Sequence, residues 1–253
     1  MIEIRGLHKS FKGKAVLKGV SLTIEEGKVT TIIGQSGCGK SVLLKHVVGL
    51  HEPDEGEVII DGEVMAKMDD ETLRRCRSRF SYLFQGGALF DSLTVRENVV
   101  FPLVWEGGHH HHYDKKFLQK KAAETLELVG MAHAGSLKPS ELSGGMKKRV
   151  ALARAIVQNP KYILYDEPTT GLDPVMSAVI DDLILTLNKE LDLTSVVVTH
   201  DMQSVAHISD KVCMLYDGKI VFNGSVAGMK QEKNPILQQF IQRKNEGPIF
   251  FGR

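Results

Sequence analysis

GQSGCGKS, residues 34–41, follows the apolar run Val29–Ile33 and leads into Val42, Leu43, Leu44, Val47 and Val48, apolar positions at helical spacing. Strand, glycine loop and helix are therefore predicted in that order. Gly34, Gly37 and Gly39 let successive backbone N–H groups turn inward on a polyphosphate, and the helix start adds its positive dipole end. Lys40 reaches the outer phosphates and the Ser41 hydroxyl ligates Mg²⁺. Gln35, Ser36 and Cys38 fill the loop between the glycines, Cys38 through its backbone rather than its thiol. Each part answers one feature of a magnesium nucleoside triphosphate.

At 253 residues the chain buries about three quarters of its unfolded surface. Lys plus Arg number 32 against 31 Asp plus Glu, so a net charge of +1 gives no basic field for a nucleic-acid partner. The beginning, MIEIRGLHKSFKGK, has no apolar signal core. The most apolar stretch, residues 99–105, carries a proline and falls far short of the ~18 residues that span a bilayer. Cys38, Cys76 and Cys213 have neither metal nor disulfide spacing, which suits a reducing compartment. A cytoplasmic location is expected.

Working outward from the loop, three strand-like runs lie around Ile2 to Leu7, Val20 to Ile24 and Val29 to Ile33, broken by FKGK and EEGK turns. EVIIDGE reads as a strand closed by an Asp-Gly reversal, and residues 79–84 as a strand ending at Gln85. Thr94 and Glu97 form a capping box, so a helix starts there and runs through NVVFPLVW, to be kinked or ended by Pro102. Residues 114–129 read as an amphipathic helix stopped by Gly130. ELSGGMKKRVALARAI gives a helix after glycines, YILYDE a buried strand ending in two carboxylates, residues 178–187 a helix, TSVVVTHD a strand ending at His200, and VCMLYDGKIVF a hairpin. The alternation predicts α/β with a mainly parallel sheet. His109 to His112 form a run that reads as a solvated loop, since neighbours in a run cannot all turn to one metal.

In open α/β sheets ligands gather at the carboxyl ends of the strands, and Gln85, Asp166 with Glu167, and His200 all end strand-like runs. Asp166 can hold the Mg²⁺ that Ser41 touches, and Glu167 can polarise a water for in-line attack on the γ-phosphate. The residues alone leave other roles open: the two acids as caps of the next turn, His200 as a structural histidine, Phe11 as a staple of its turn rather than a platform for a nucleobase.

GQSGCGKS, LSGGM, YILYDEP and VVVTHD in that order resemble the nucleotide-binding subunits of ABC transporters over residues 1–225. The resemblance implies a P-loop NTPase core with a mainly parallel sheet, a small antiparallel β subdomain and a helical subdomain inserted at about residues 89–158. Residues 226–253 would form a C-terminal helix and apolar tail. By position, Phe11 and Val16 match the contacts to adenine, and Gly34, Gln35, Ser36, Gly37, Cys38, Gly39, Lys40, Ser41 and Val42 match the Walker A contacts to ATP. Gln85 matches the Q-loop glutamine, which senses Mg²⁺ and the transport subunit. Ser143, Gly144 and Gly145 match the signature, Asp166 the Walker B aspartate, Glu167 the catalytic base, Asp173 the D-loop aspartate, and His200 the switch histidine. The implied assembly is a head-to-tail homodimer that sandwiches two ATP molecules. Met146 departs from the family's usual glutamine and leaves the three phosphate contacts before it unchanged.

FQGGALFDSLTVRENVVFPL, the LSGGM variant and an ending of the form EGPIFF are similar to the ATPases of Mla-type phospholipid transport systems. That implies an integral membrane permease, an Mce-domain protein and, in some members, a STAS-domain protein as partners. It also implies a peripheral position on the inner face of the cell membrane. Importer, cell-division and iron-sulfur scaffold ATPases of similar layout stay open. Ile236, Leu237, Phe240 and Ile241 at helical spacing, then Ile249, Phe250 and Phe251, predict a tail that docks on protein, with the other protomer as a candidate.

Overall fold

The computed structural model describes residues 1–106, 109–110 and 113–249. It divides into two compact units, Met1–Arg77 with Thr194–Arg253, and Ser78–Leu193.

The first unit opens with β1 (Ile2–Phe11), β2 (Lys14–Ile24), β3 (Val29–Ile33), α1 (Lys40–Val47), β4 (Glu55–Ile60), β5 (Glu63–Val64) and α2 (Asp70–Ser78). An antiparallel sheet runs β2-β1-β4-β5. Its buried face carries Ile2, Ile4 and Leu7 of β1 with Leu17, Val20, Leu22 and Ile24 of β2. The strands are longer than the sequence pattern indicates. Lys12 (φ 49°) and Gly13 (φ 79°) form a tight left-handed turn, so β1 and β2 pair right up to it, Phe11 opposite Lys14. Asp61 (φ 51°) and Gly62 (φ 89°) make the expected Asp-Gly reversal between β4 and β5 in the same way.

The second unit contains β6 (Phe80–Leu83), α3 (Val95–Val104), β7 (Trp105–Glu106), β8 (His109–His110), α4 (Lys115–Leu128), α5 (Gly144–Ile156), β9 (Tyr162–Asp166) and α6 (Pro174–Glu190). β6 and β9 are parallel, with Tyr82 opposite Leu164 and Leu83 opposite Tyr165, so both deliver their carboxyl ends to one edge. The capping box forms as read: Glu97 N–H donates to Thr94 Oγ1 (3.3 Å), and Thr94 N–H donates to Glu97 Oε2 (2.7 Å). Pro102 lies inside the last turn of α3, and the helix ends at Val104, short of Trp105. α3 packs against α4 and α5, burying Val95, Val99, Ala122, Leu126, Val150 and Leu152. Buried Asn98 bonds to Phe90 N–H (2.8 Å) and to the carbonyls of Phe90, Leu93 and Thr94, fixing the loop that leads into α3. The expectation for the histidine run lies in part outside the described residues, at His111 and His112.

The first unit resumes with β10 (Thr194–Val198), α7 (Met202–Ile208), β11 (Lys211–Tyr216), β12 (Lys219–Gly224), α8 (Val226–Gln231) and α9 (Pro235–Ile241). Their order is β12-β11-β3-β10, and β3 is paired in parallel on both sides, which explains why all five of its residues are buried. β10 stops at Val198, two residues before His200.

The tail docks on its own chain. Ile249 is 4% exposed and joins a core with Phe222, Met229 and Leu237, where the sequence had left the other protomer open as its host. Gln239 holds it on both sides: Ile249 N–H donates to Gln239 Oε1 (2.6 Å), and Gln239 Nε2 donates to Ile249 O (3.3 Å). Phe250 and Phe251 lie outside the described residues. Ile249→Ala should cost about 2–5 kcal/mol, with the thermal midpoint falling about 2–4 °C for each. An unchanged midpoint in thermal unfolding would contradict this docking.

Candidate functional site

In the first unit, β3 ends at Ile33 and the chain enters the glycine loop. Gly34 has φ 149°, and a Cβ there would lie 2.1 Å from Leu215 O, so only glycine fits beside β11. Gly37 (φ 79°) and Gly39 (φ 108°) are also left-handed. α1 begins at Lys40 with no side-chain cap and no acid in its first turn, leaving its leading N–H groups to serve an anion. Lys40, buried to 8% exposure, donates to Gly34 O (2.8 Å) and Gln35 O (3.0 Å), so its ammonium lies in the mouth of the loop. Ser41 follows and is exposed, and Val42 is half-buried behind it. Burial pushes the Cys38 thiol up, which favours its neutral form.

Two cavities flank this loop. One, of about 290 Å³, is lined by Val16, Gln35, Ser36, Gly37, Cys38, Tyr216 and Asp217 among others. The other, of about 560 Å³, brings Gly34, Gln35 and Ser36 together with His200, Phe240, Arg243 and Ile249. Val16 and His200 thus join the loop. Phe11 is not among the lining residues of either cavity; it stands exposed at the end of β1, edge-on to His51 at 5.4 Å.

In the second unit, β9 ends in Asp166, whose Oδ2 accepts a 2.9 Å hydrogen bond from Tyr82 Oη. Glu167 comes next in a left-handed conformation (φ 53°), an uncommon one for a glutamate that turns the carboxylate out of the strand line. Thr170 Oγ1 donates to Glu167 Oε2 (3.1 Å) and steadies it. Gln85 is exposed just past β6, and its carbonyl accepts from Lys148 Nζ, which also donates to Glu167 O at 3.4 Å. Arg154 donates to Gly87 O (2.6 Å) and Ala88 O (2.7 Å). α5 therefore grips the segment after β6 with two cations, and one of them also reaches the residue after Asp166. Burial lowers the Lys148 pKa, opposed in part by Glu167.

Ser143 is the N-cap of α5, accepting from Met146 N–H at 3.3 Å, with Gly144 and Gly145 in the first turn. A Cβ on Gly145 would sit 2.3 Å from Met176 Cε, and one on Gly144 would touch Leu172, so the glycines allow close packing as well as open N–H groups. Asp173 caps α6, accepting from Val175 and Met176 N–H at 3.0 Å each. That cap gives Asp173 a structural role in addition to the one the sequence suggests.

Lys148, Arg154 and Tyr82 were not singled out from sequence. A signal existed for Lys148 alone: it falls three and four residues before buried Ala151 and Leu152, a lysine on an apolar helical face. The donor set suits Mg²⁺. Among the described residues no group of three or more His, Cys, Asp or Glu forms a metal cage, whereas Mg²⁺ ordinarily binds through one or two protein oxygens together with substrate phosphates.

The family model for "ABC transporter" matches residues 17–170. An intermembrane phospholipid transport system ATP-binding protein, MlaF of Haemophilus influenzae, is 38% identical over 99% of this chain and 94% of its own length. The chloroplastic protein TRIGALACTOSYLDIACYLGLYCEROL 3 of Arabidopsis thaliana is 42% identical over 98% of this chain and 75% of its own. The dimeric post-hydrolysis structure of the ATP-binding cassette MJ0796, bound to ADP and phosphate, superposes with a TM-score of 0.79 at 35% identity, covering 89% of this chain and 99% of that one. The glycine loop, the acidic strand end and the LSGG helix are thus the parts of an ATP-binding cassette, and the chain belongs to the ABC transporter family as an ATP-hydrolysing subunit.

Proposed function

We propose that this chain dimerises head to tail on ATP and drives phospholipid movement by a membrane permease working with an Mce-type protein. The observation that carries this reading is the match along 99% of the chain to a phospholipid transport ATP-binding protein. A second lipid-named relative, matching over 98% of the chain, points the same way.

In this reading residues 1–225 are the cassette, with the helical part at about 89–158, and ATP lies on the Walker A residues with its base toward Val16 and Phe11. Lys40 and the N–H groups of Gly37, Cys38 and Gly39 hold the outer phosphates. Ser41, Gln85 and Asp166 hold Mg²⁺, which supplies neutralisation of the phosphate charge. Glu167 takes the proton of the attacking water, and His200 orients the γ-phosphate. Ser143, Gly144 and Gly145 of the second copy close over the same phosphates, and Asp173 lies beside that closure. Exposed Phe84, Phe90 and Trp105 offer an apolar surface to the permease. Among the described residues no helix is long and apolar enough to cross a membrane. In this reading a separate permease spans the bilayer and this chain lies peripheral on its inner face.

Purification of the native membrane complex, with mass spectrometry of its proteins and lipids, tests this reading. A permease, an Mce-type protein and stoichiometric phospholipid are expected. A permease carrying a water-soluble cargo, or a soluble assembly without one, would overturn it in favour of an importer or a scaffold ATPase.

A further inference from the structure

We infer that Tyr82 is a positioning residue for the magnesium site, fixing the Asp166 carboxylate through the hydrogen bond from its phenol. The inference rests on the metal role proposed above for Asp166. The geometry comes from the register of two strands. Tyr82 lies opposite Leu164 in the parallel β6–β9 pair, so Asp166 is its diagonal neighbour two residues further along the same face. A side chain as long as tyrosine spans that diagonal, and the hydroxyl meets Oδ2 at 2.9 Å. The ring is braced in turn by Phe84, just past the end of β6, with ring centroids 4.5 Å apart.

The chemistry follows from what a carboxylate can accept. Asp166 offers about four lone-pair sites, and one phenolic O–H occupies a single one of them while setting the plane of the group. In the proposed role the carboxylate would meet the metal or its waters in an orientation that this hydrogen bond sets, without waiting for a flexible side chain to settle. Outer-shell partners of this kind, which orient a ligand rather than bind the ion, are worth about 10-fold to 100-fold in metal affinity or activity. A phenol ordinarily keeps its proton near neutral pH, so Tyr82 can donate to Asp166 there. Phenylalanine would keep the shape and the contact with Phe84 and remove only the donor.

The test uses the whole chain and three variants, Tyr82→Phe, Asp166→Asn and the pair. ATP affinity is measured by fluorescent-nucleotide titration, first in EDTA and then across a Mg²⁺ series, alongside the thermal midpoint and the Mg²⁺ dependence of turnover. For Tyr82→Phe the Mg²⁺ concentration at half effect should rise about tenfold, with the EDTA affinity held within about twofold. The double variant should be no worse than Asp166→Asn alone, because the tyrosine acts only through that carboxylate. A Mg²⁺ requirement in Tyr82→Phe within about twofold of wild type, while Asp166→Asn raises it, overturns the inference and spares the function. An Asp166→Asn protein with wild-type Mg²⁺ dependence would instead remove the metal role itself. An equal loss in EDTA and in Mg²⁺ would make Tyr82 merely structural and also overturn the inference.

Discussion

Glu167→Gln should lower ATP turnover by about 10²-fold to 10⁴-fold while leaving ATP bound, the range that a positioned general base contributes. The substitution is close in size and shape, so the surroundings should hold it where they hold glutamate. The left-handed backbone at φ 53° aims the side chain, Thr170 Oγ1 donates to Oε2 at 3.1 Å, and Lys148 steadies the carbonyl. An amide keeps an oxygen that accepts from Thr170 but has no basic site for the proton of the water. Bound triphosphate should then persist, and with it the proposed closed pair of chains. Single-turnover hydrolysis combined with size-exclusion chromatography reads both effects. Turnover at the wild-type rate would remove Glu167 from its role.

Lys40→Ala should abolish nucleotide-dependent dimerisation. The ammonium is the cation inside the loop, held 2.8 Å from Gly34 O and 3.0 Å from Gln35 O, where it stands ready to exchange carbonyl oxygens for phosphate oxygens. A hydrogen bond to a charged group contributes about 1.5–3 kcal/mol, so losing one such contact weakens ATP binding by roughly 10-fold to 100-fold. In the proposed dimer triphosphate fills both chambers, so the loss counts twice. Equilibrium ATP titration and light scattering with Mg-ATP check the two parts. A variant that still dimerises on ATP would show that the loop amides suffice without the lysine.

The phosphate loop was legible from sequence because everything that shapes it is local: a buried strand, glycines at left-handed positions and a helix with no cap of its own. The same holds for the Thr94–Glu97 capping box and the Asp61–Gly62 turn, where the residues that decide the geometry are neighbours. Tyr82 and Lys148 escaped because their partners lie 84 and 63 residues away, and only the β6–β9 register and the docking of α5 bring them together. Phe11 stands at the position that the resemblance marks for the base, exposed at the end of β1 beside the Lys12–Gly13 turn. The tail was read as apolar and seeking cover, which Ile249 fulfils. That the cover comes from its own chain depends on Gln239, a polar residue that no hydrophobic pattern marks.

In the proposed assembly each ATP is enclosed by the phosphate loop of one copy and the LSGG helix of another, and particle mass tests this most directly. Native mass spectrometry of Glu167→Gln with Mg-ATP should find twice the 28.0 kDa chain mass carrying two nucleotides, and Ser143→Glu in the same background should return the single chain. A single chain that retains ATP, with the Ser143 variant of the otherwise wild-type protein hydrolysing at full rate, would contradict it.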